Sequence, residues 1–313
     1  MNNDEIIEIS IIMDIAYIEY MTQYKLQEIC SMPAYMTHKA AGEKVLDKLG
    51  NEMVKNKKLF YLGCQGPDVL YSNWHSLKSS LRLGLKMHKL RTRELMRHAL
   101  DYLRQYNRGD KDALISYFAG MLTHYTVDKW THPYIYGKAG GNVGMHNAME
   151  FVWDIFTSKE VWDVDLREAN VYQEIMTDTL DQGISNWYVS AANDIYGKKI
   201  NDKSIRRAQV NFAKSKNRMF THPQRFRRFF IWATSGLKIK KMLFLEQHND
   251  SIFSEEEFVQ MQLLVQRGVN EACNLINFML DYIREAVMDI PEKLFERNFS
   301  GNIVPSENEE SLA

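Results

Sequence analysis

The chain has 313 residues, 45% of them hydrophobic, and a formal net charge of -1, so it can bury a substantial core in one large domain. Its 3 cysteines are far apart and odd in number, which excludes a disulfide framework and fits a reducing compartment. Few prolines and glycines, long stretches of helix formers and no extended β-type alternation favour an all-α fold over one that contains a sheet.

The N-terminal segment, residues 1–31, has an apolar stretch that charged residues interrupt. Asp14 and Glu19 leave it too short to span a bilayer, and acidic residues occupy the flank where a signal peptide would be basic. We expect a separate amphipathic lead-in helix here, and a cytoplasmic protein with neither a signal peptide nor a transmembrane helix.

A single all-α domain is expected over residues 32–297. Its first helix would follow Pro33 with Thr37 as the cap, and the glycine-containing stretch 56–76 is interpreted as a loop. Pro133 is expected to end the helix that carries the central histidines, before a flexible glycine-rich connection. Further helices are predicted over 84–106, 111–131, 145–157, 168–182, 187–197, 202–217 and 223–245.

The last long helix has the clearest signals. Ser254 and Glu257 form a capping-box pattern, and apolar residues then recur at three- and four-residue steps. Pro291 is expected to stop this helix. Residues 298–313 are polar and acidic, and we expect them to form a disordered tail.

The centre of the chain carries metal-ligand side chains at a helical spacing. The run His124-x-x-x-Asp128-x-x-x-His132 is followed by His146-x-x-x-Glu150. Because an α-helix turns once every ~3.6 residues, side chains four apart project from one face. A single pair of this kind is usually an ordinary surface pair, but the chained pattern predicts a metal site.

Three more ligand-type residues, His38, Asp68 and His88, lie upstream. Zn²⁺ prefers imidazole nitrogen and carboxylate oxygen, and catalytic sites keep a position open for water. Clustered zinc ions suit phosphoester hydrolysis, because one ion lowers the pKa of the attacking water while others neutralise the phosphate. For His38 and Asp68 the spacing alone leaves a structural role equally open.

Five short motifs occur together between residues 33 and 160. They are TH at 37–38, GCQGPD at 63–68, LGLKMH at 83–88, HYTVDKWTHP at 124–133 and HNAME at 146–150. In combination they resemble the bacterial zinc-dependent phospholipase C family. The resemblance implies a compact all-α helical bundle that cleaves a phospholipid or a related phosphoester with a metal-activated water.

The resemblance also implies a role for each ligand-type residue. Asp68, His88, His124 and Asp128 correspond to the ligands of a first zinc, and His132, His146 and Glu150 to those of a second. His38 and the bridging Asp128 correspond to ligands of a third zinc. The family aspartate at the position of Asp68 is also a candidate general base for the attacking water.

The third zinc site departs from the family pattern. Secreted family members complete it with the amino-terminal tryptophan of the mature enzyme, whereas here 37 residues precede His38. Two zinc ions are therefore expected, and the third stays open. Translation from Met32 would place a free amine close to His38, and the intact mass of the native protein would decide between Met1 and Met32.

Other histidines offer weaker alternatives. His75 follows Asp68 closely and competes with His88 for the first site, although LGLKMH fits the family pattern better. His98, His222 and His248 have no partner pattern and are interpreted as structural or surface residues.

Residues 201–245 hold 12 Lys or Arg and a single acid, Asp202, and interleave the cations with aromatic residues. A basic helix face that is exposed to solvent explains this pattern as well as contact with a binding partner does. The alternative is peripheral contact with an anionic membrane surface. A nucleic-acid backbone is a less favoured partner.

Two rival functions remain at the level of sequence. A zinc nuclease resembles the same fold and chemistry, but it would more typically carry Asp at the position of Glu150 and a longer gap before the second His. The other rival is a non-catalytic protein in which zinc stabilises the fold and the basic segment binds a membrane or a partner.

Overall fold

The computed structural model describes residues 35–72, 80–164, 181–221 and 252–304. All regular elements in these residues are helices, and their β-type pairing is limited to one antiparallel bridge between Arg297 and Ile303. The all-α prediction is therefore confirmed. No helix among the described residues is both long and apolar enough to cross a bilayer.

We number the α-helices of the described residues in chain order. They are α1 Tyr35–Leu49, α2 Lys57–Gly63, α3 Ser80–Lys89, α4 Thr92–Gln105, α5 Lys111–Ala139, α6 Val143–Trp162, α7 Gln182–Asp194, α8 Asp202–Thr221 and α9 Glu255–Ile283. Short 3₁₀ helices lie at Asn51–Met53, Gly66–Ser72 and Glu292–Phe295.

Helix α5 is the central element of the fold. It begins at Asp110, whose side chain accepts a hydrogen bond from Ala113 N at 3.0 Å, and its residues are buried almost without interruption from Ala113 to Asp128. From Ala113 to Val127 the sequence has no Asp, Glu, Lys or Arg, as expected of a helix that is buried on all sides.

The prediction that Pro133 ends this helix is wrong. Helix α5 continues through Pro133 and ends at Gly140, which adopts a left-handed conformation with φ +59. Ile135 and Ala139 are buried beyond the proline. Burial of this second half offsets the cost of about 3 kcal/mol that an interior proline imposes.

Helix α2 crosses α5 at a pair of glycines. A Cβ atom on Gly120 would lie 2.0 Å from Phe60 O, and one on Gly63 would lie 2.1 Å from Tyr117 O. The two backbones can therefore approach this closely only because both positions lack a side chain. Helix α9 packs on α5 at Gly268, where an added Cβ would lie 2.8 Å from the Cα of Val127.

The stretch 56–76, predicted to be a loop, is helical up to residue 72. Asn56 caps α2 by accepting a hydrogen bond from Leu59 N at 3.0 Å, and Leu59, Phe60 and Leu62 are buried. The glycines that suggested a loop instead permit close packing. Thr37 is likewise inside α1, which begins at Tyr35, and is not its cap.

The single helix predicted over 84–106 is two helices. Helices α3 and α4 are separated at Arg91, which has φ 55 in the left-handed region. Its side chain donates to Ile195 O at 2.6 Å and to Glu94 Oε1 at 3.1 Å. These two contacts stabilise a bend at Arg91 that the local sequence does not predict.

The capping box of α9 is confirmed. Ser254 Oγ accepts from Glu257 N at 3.3 Å, and Glu257 Oε2 accepts from Ser254 N at 2.8 Å. The helix ends at Ile283, well before Pro291. Within the stretch 298–313 that is predicted to be a tail, the structure describes residues 298–304, and Phe299 there is fully buried.

Several predictions fall on residues that the structure does not describe. The lead-in helix over 1–31, the helix over 223–245 and the tail from 305 onward lie outside the described residues, as does the helix over 168–182 up to residue 180. The domain boundaries at 32 and 297 stay a prediction.

Candidate metal centre

Five elements bring all eight predicted ligand residues to one place at the centre of the bundle. His38 comes from α1, Asp68 from the 3₁₀ helix that follows α2, and His88 from α3. Helix α5 contributes three residues and α6 contributes two, which are His124, Asp128, His132, His146 and Glu150. Every one is buried except His146, which is half-buried.

The first group consists of Asp68, His88 and His124. One candidate ligand atom from each lies within 4.8 Å of the other two. His88 Nε2 is 2.9 Å from Asp68 Oδ1, and His124 Nε2 is 3.9 Å from Asp68 Oδ2. The three side chains are therefore close enough together to hold one cation.

The second group consists of His38, His124 and Asp128, and it shares His124 with the first. Asp128 Oδ1 lies 3.1 Å from His38 Nε2, while Oδ2 lies 3.2 Å from His124 Nε2 and 4.0 Å from His88 Nε2. The two oxygens of Asp128 thus face different histidines, which is the arrangement of a carboxylate between two cation positions.

The third group joins α5 to α6. Glu150 Oε1 lies 3.3 Å from His132 Nε2 and 2.8 Å from His146 Nε2. The two imidazole rings are stacked, with centroids 5.3 Å apart. His132 also connects this group with the second, because its Nδ1 lies 3.6 Å from Asp128 Oδ2.

Backbone carbonyls determine the tautomer of three of these rings. The carbonyl oxygens of Gly84, Cys64 and Phe299 lie 2.8, 3.2 and 2.9 Å from Nδ1 of His88, His124 and His132 respectively. A carbonyl oxygen only accepts hydrogen bonds, so each Nδ1 carries a proton and donates it. In the neutral ring, Nε2 then carries a lone pair that faces the cluster.

This arrangement fits a bound cation. Lone pairs on imidazole nitrogen and charges on carboxylate oxygen repel each other at these distances unless positive charge lies between them. Asp68 Oδ2 and His124 Nε2 are both buried and have no hydrogen-bond partner among the described residues. Nitrogen and carboxylate oxygen are the donors that zinc prefers, and such orphaned buried atoms are rare in a site that holds nothing.

Asp128 on α5 and Glu150 on α6 are ionised near neutral pH. Burial acts to raise the pKa of Asp128, but the charges of the surrounding histidines outweigh it and hold this pKa well below its usual value. Burial also acts to raise the pKa of Glu150, yet the charge of His146 and the hydrogen bonds of both nearby rings lower it to about 2. Metal ligands need this ionised form.

The cluster as a whole attracts positive charge. Burial lowers the pKa of His38, His88 and His132, but the neighbouring aspartates outweigh burial and raise all three values. His124 is the exception, because burial dominates there and lowers its pKa. The excess negative charge can be balanced by protons on the rings or by cations between them.

Sequence reasoning missed Asp154, a buried residue that anchors the helix bearing His38. Asp154 Oδ1 accepts hydrogen bonds from Met36 N at 3.0 Å, from Thr37 N at 2.9 Å and from Thr37 Oγ1 at 2.9 Å. It ties the start of α1 to α6, and its position four residues after Glu150 places it on the same face of that helix. This spacing was the available signal.

Gly66 is a second missed residue. It has φ +50, and an added Cβ would lie 2.2 Å from the ring of His124. The left-handed turn here directs the chain into the 3₁₀ helix that carries Asp68. Glycine is needed at this position for both its conformation and its lack of a side chain.

Of the remaining histidines the structure describes His98, which lies apart from the cluster. His98 Nε2 is hydrogen-bonded at 3.0 Å to Ser190 Oγ and lies 3.5 Å from Asp194, away from the other rings. His75, His222 and His248 lie outside the described residues, as does the basic segment from residue 222 onward.

A comparison with protein families agrees with this geometry. The family model described as zinc dependent phospholipase C matches residues 37–198, which include all eight ligand-type residues. Comparisons with curated proteins and with solved structures found no match. Because the family model matches just over half of the 313 residues, the chain belongs to the zinc-dependent phospholipase C family.

Proposed function

We propose that the protein is a zinc-dependent phosphodiester hydrolase that cleaves a phospholipid or a related phosphoester. The observation that carries this proposal is the close approach of three ligand groups, two of which share His124, with ring nitrogens near carboxylate oxygens. A structural zinc needs only one closed site, whereas a chain of adjoining sites suits a phosphate group and its attacking water.

Residue roles follow from the groups. Asp68, His88, His124 and Asp128 would hold the first zinc, and His132, His146 and Glu150 the second. His38 and Asp128 would contribute to a third zinc, with His124 beside them in the same group. When bound, zinc lowers the pKa of a coordinated water and neutralises phosphate charge.

Asp68 is the candidate general base. Its Oδ1 faces His88 Nε2 at 2.9 Å, while its buried Oδ2 has no hydrogen-bond partner among the described residues. That oxygen is therefore available to accept a proton from the attacking water. Its burial beside His88 and His124 supports this role.

A lipid-like substrate is supported by the surroundings of the third group. The ring of Tyr136 lies 4.8 Å from that of His146 and 5.3 Å from that of His132, yet this tyrosine is 40% exposed. Met145, next to His146, is also an exposed apolar residue. An apolar rim beside a phosphate-binding centre suits a phosphodiester that carries an apolar group.

The test combines metal content with turnover. Purified protein is expected to contain two or three zinc ions per chain and to release a phosphomonoester from phosphatidylcholine. His124→Ala and Glu150→Ala should each lose activity and contain less zinc than wild type. His98→Ala is the matched control, because His98 lies outside the described cluster and should retain zinc and activity.

Two results would redirect the proposal. Cleavage of single-stranded nucleic acid in place of phosphatidylcholine would indicate a nuclease-type phosphodiesterase. Full zinc content without turnover on any phosphodiester would indicate a protein that zinc stabilises. Membrane contact through residues 201–245 stays a separate proposal, which binding to anionic vesicles would test.

A further inference from the structure

The C-terminal turn Asn298–Gly301 covers the candidate metal centre. The carbonyl oxygen of Phe299 lies 2.9 Å from His132 Nδ1 and accepts its proton. The Phe299 ring packs against the imidazoles of His88 and His124, with centroids 4.9 and 5.7 Å apart. This turn lies far beyond the residues that the family model matches, 37–198.

Asn298 builds the turn with its side chain. Its Oδ1 accepts hydrogen bonds from Ser300 N and Asn302 N, both at 3.0 Å. Its Nδ2 donates to Lys89 O at 3.1 Å, at the end of the helix that carries His88. One buried amide therefore closes the turn and fastens it to a ligand-bearing helix.

Gly301 seats the turn on the other ligand-bearing helix. Its φ is +78, and an added Cβ would lie 2.4 Å from Pro133 Cγ and 2.7 Å from Lys129 O. Pro133 follows His132 directly in α5. The turn is thus fixed against α5 beside the histidine whose ring it contacts.

We propose that Asn298 is a positioning residue for His132, and that the turn it forms presents the Phe299 carbonyl to His132 Nδ1. This contact holds the ring so that Nε2 faces Glu150 Oε1, at 3.3 Å. The inference rests on the proposed function, because it concerns zinc at the His132, His146 and Glu150 group. Partners of this kind change metal affinity by about 10–100-fold when they are removed.

The first measurement uses the intact wild-type protein loaded with zinc. Long-range ¹⁵N–¹H correlation spectra of the histidine rings report which nitrogen carries a proton. We expect His132 to be protonated at Nδ1 and bonded to zinc through Nε2. The opposite assignment, with a proton on Nε2, would overturn the inference whatever the variants do.

The second measurement is zinc affinity by chelator competition. Asn298→Ala should bind the most weakly held zinc about 10-fold or more less tightly than wild type. Asn298→Asp keeps the Oδ1 acceptor but loses the Nδ2 donor to Lys89 O, so it should restore only part of this loss. Ile303→Ala is the matched control, since Ile303 lies in the same segment but is 71% exposed.

The outcomes separate the two proposals. A wild-type protein that binds no zinc would overturn the proposed function itself. If the wild type binds zinc and Asn298→Ala binds it with equal affinity, only the proposed role of Asn298 is overturned. If Asn298→Ala is unfolded by circular dichroism, the ring spectra of the wild type decide alone.

Discussion

The carboxylate of Asp154 offers the sharpest test of how the bundle holds its centre together. Its Oδ1 accepts three hydrogen bonds from the start of α1, at 2.9 to 3.0 Å. Replacement of Asp154 by Ala leaves two backbone N–H groups, of Met36 and Thr37, without this acceptor. The Thr37 hydroxyl keeps its contact with Thr157 Oγ1 at 3.2 Å, so the main cost arises at the two N–H groups.

The magnitude follows from these two groups. A buried donor that loses its partner costs about 1–3 kcal/mol, so two give about 2–6 kcal/mol, centred near ~4 kcal/mol. Asp154→Asn retains an oxygen acceptor but loses its charge. Because neutral hydrogen bonds contribute about 1 kcal/mol less than charged ones, Asn should cost roughly half as much as Ala.

Urea unfolding in the presence of a chelator measures this cost without a contribution from zinc loss. Asp163→Asn is the control, because Asp163 ends the same helix but is fully exposed. We expect Asp163→Asn to be the least destabilised variant, Asp154→Asn to be intermediate and Asp154→Ala to be the most destabilised. An Asp154→Ala protein as stable as the control would refute the anchoring role that we derive from the three hydrogen bonds.

Four further predictions follow from the structure. Gly66→Ala should reduce both zinc content and the melting temperature, because the left-handed conformation costs about 1–2 kcal/mol and the new Cβ would lie 2.2 Å from the buried ring of His124; metal analysis beside a melting curve checks this. Gly120→Ala should lower the melting temperature markedly or prevent folding, since its Cβ would lie 2.0 Å from a carbonyl oxygen of α2 and overpacking costs about 1–3 kcal/mol or more. Hydrogen bonds from Lys138, from the Ser254 backbone and from Tyr134 lower the pKa of Glu257 to about 2, so its stabilising contribution is present above about pH 4.5 and is lost as pH falls towards 2. Glu257→Gln should therefore flatten melting temperature against pH in this range, by an amount that shrinks in high salt because the carboxylate is near the surface. Removal of zinc with a chelator should lower the melting temperature of wild type by more than that of Glu150→Ala, which has already lost the second zinc, and an equal shift in both would contradict the assignment of Glu150 as a ligand.

Local patterns predicted the helical character of the chain and part of the candidate site. The spacing of His124, Asp128 and His132 places them on one face of a helix whatever the rest of the fold does. The capping box at Ser254 and Glu257 is equally local, and it was predicted correctly. Such features need only the geometry of one helix.

Errors occurred where burial outweighed local preference. Pro133 does not end α5, because the residues beyond it are packed in the core. The stretch 56–76 was assigned to a loop on the evidence of its glycines, which serve the crossing of α2 and α5 at Gly63 and Gly120. A glycine in sequence does not reveal whether it supplies flexibility or close approach.

The sequence by itself determined an all-α protein with a helix that carries His124, Asp128 and His132 on one face, because helical periodicity is a property of neighbouring residues. Only the tertiary structure decided that Asp154 holds the start of α1 and that the carbonyl of Phe299 faces His132 across 167 residues of chain. A backbone carbonyl is present at every residue and leaves no mark in the sequence. Its partner is chosen by how the helices pack.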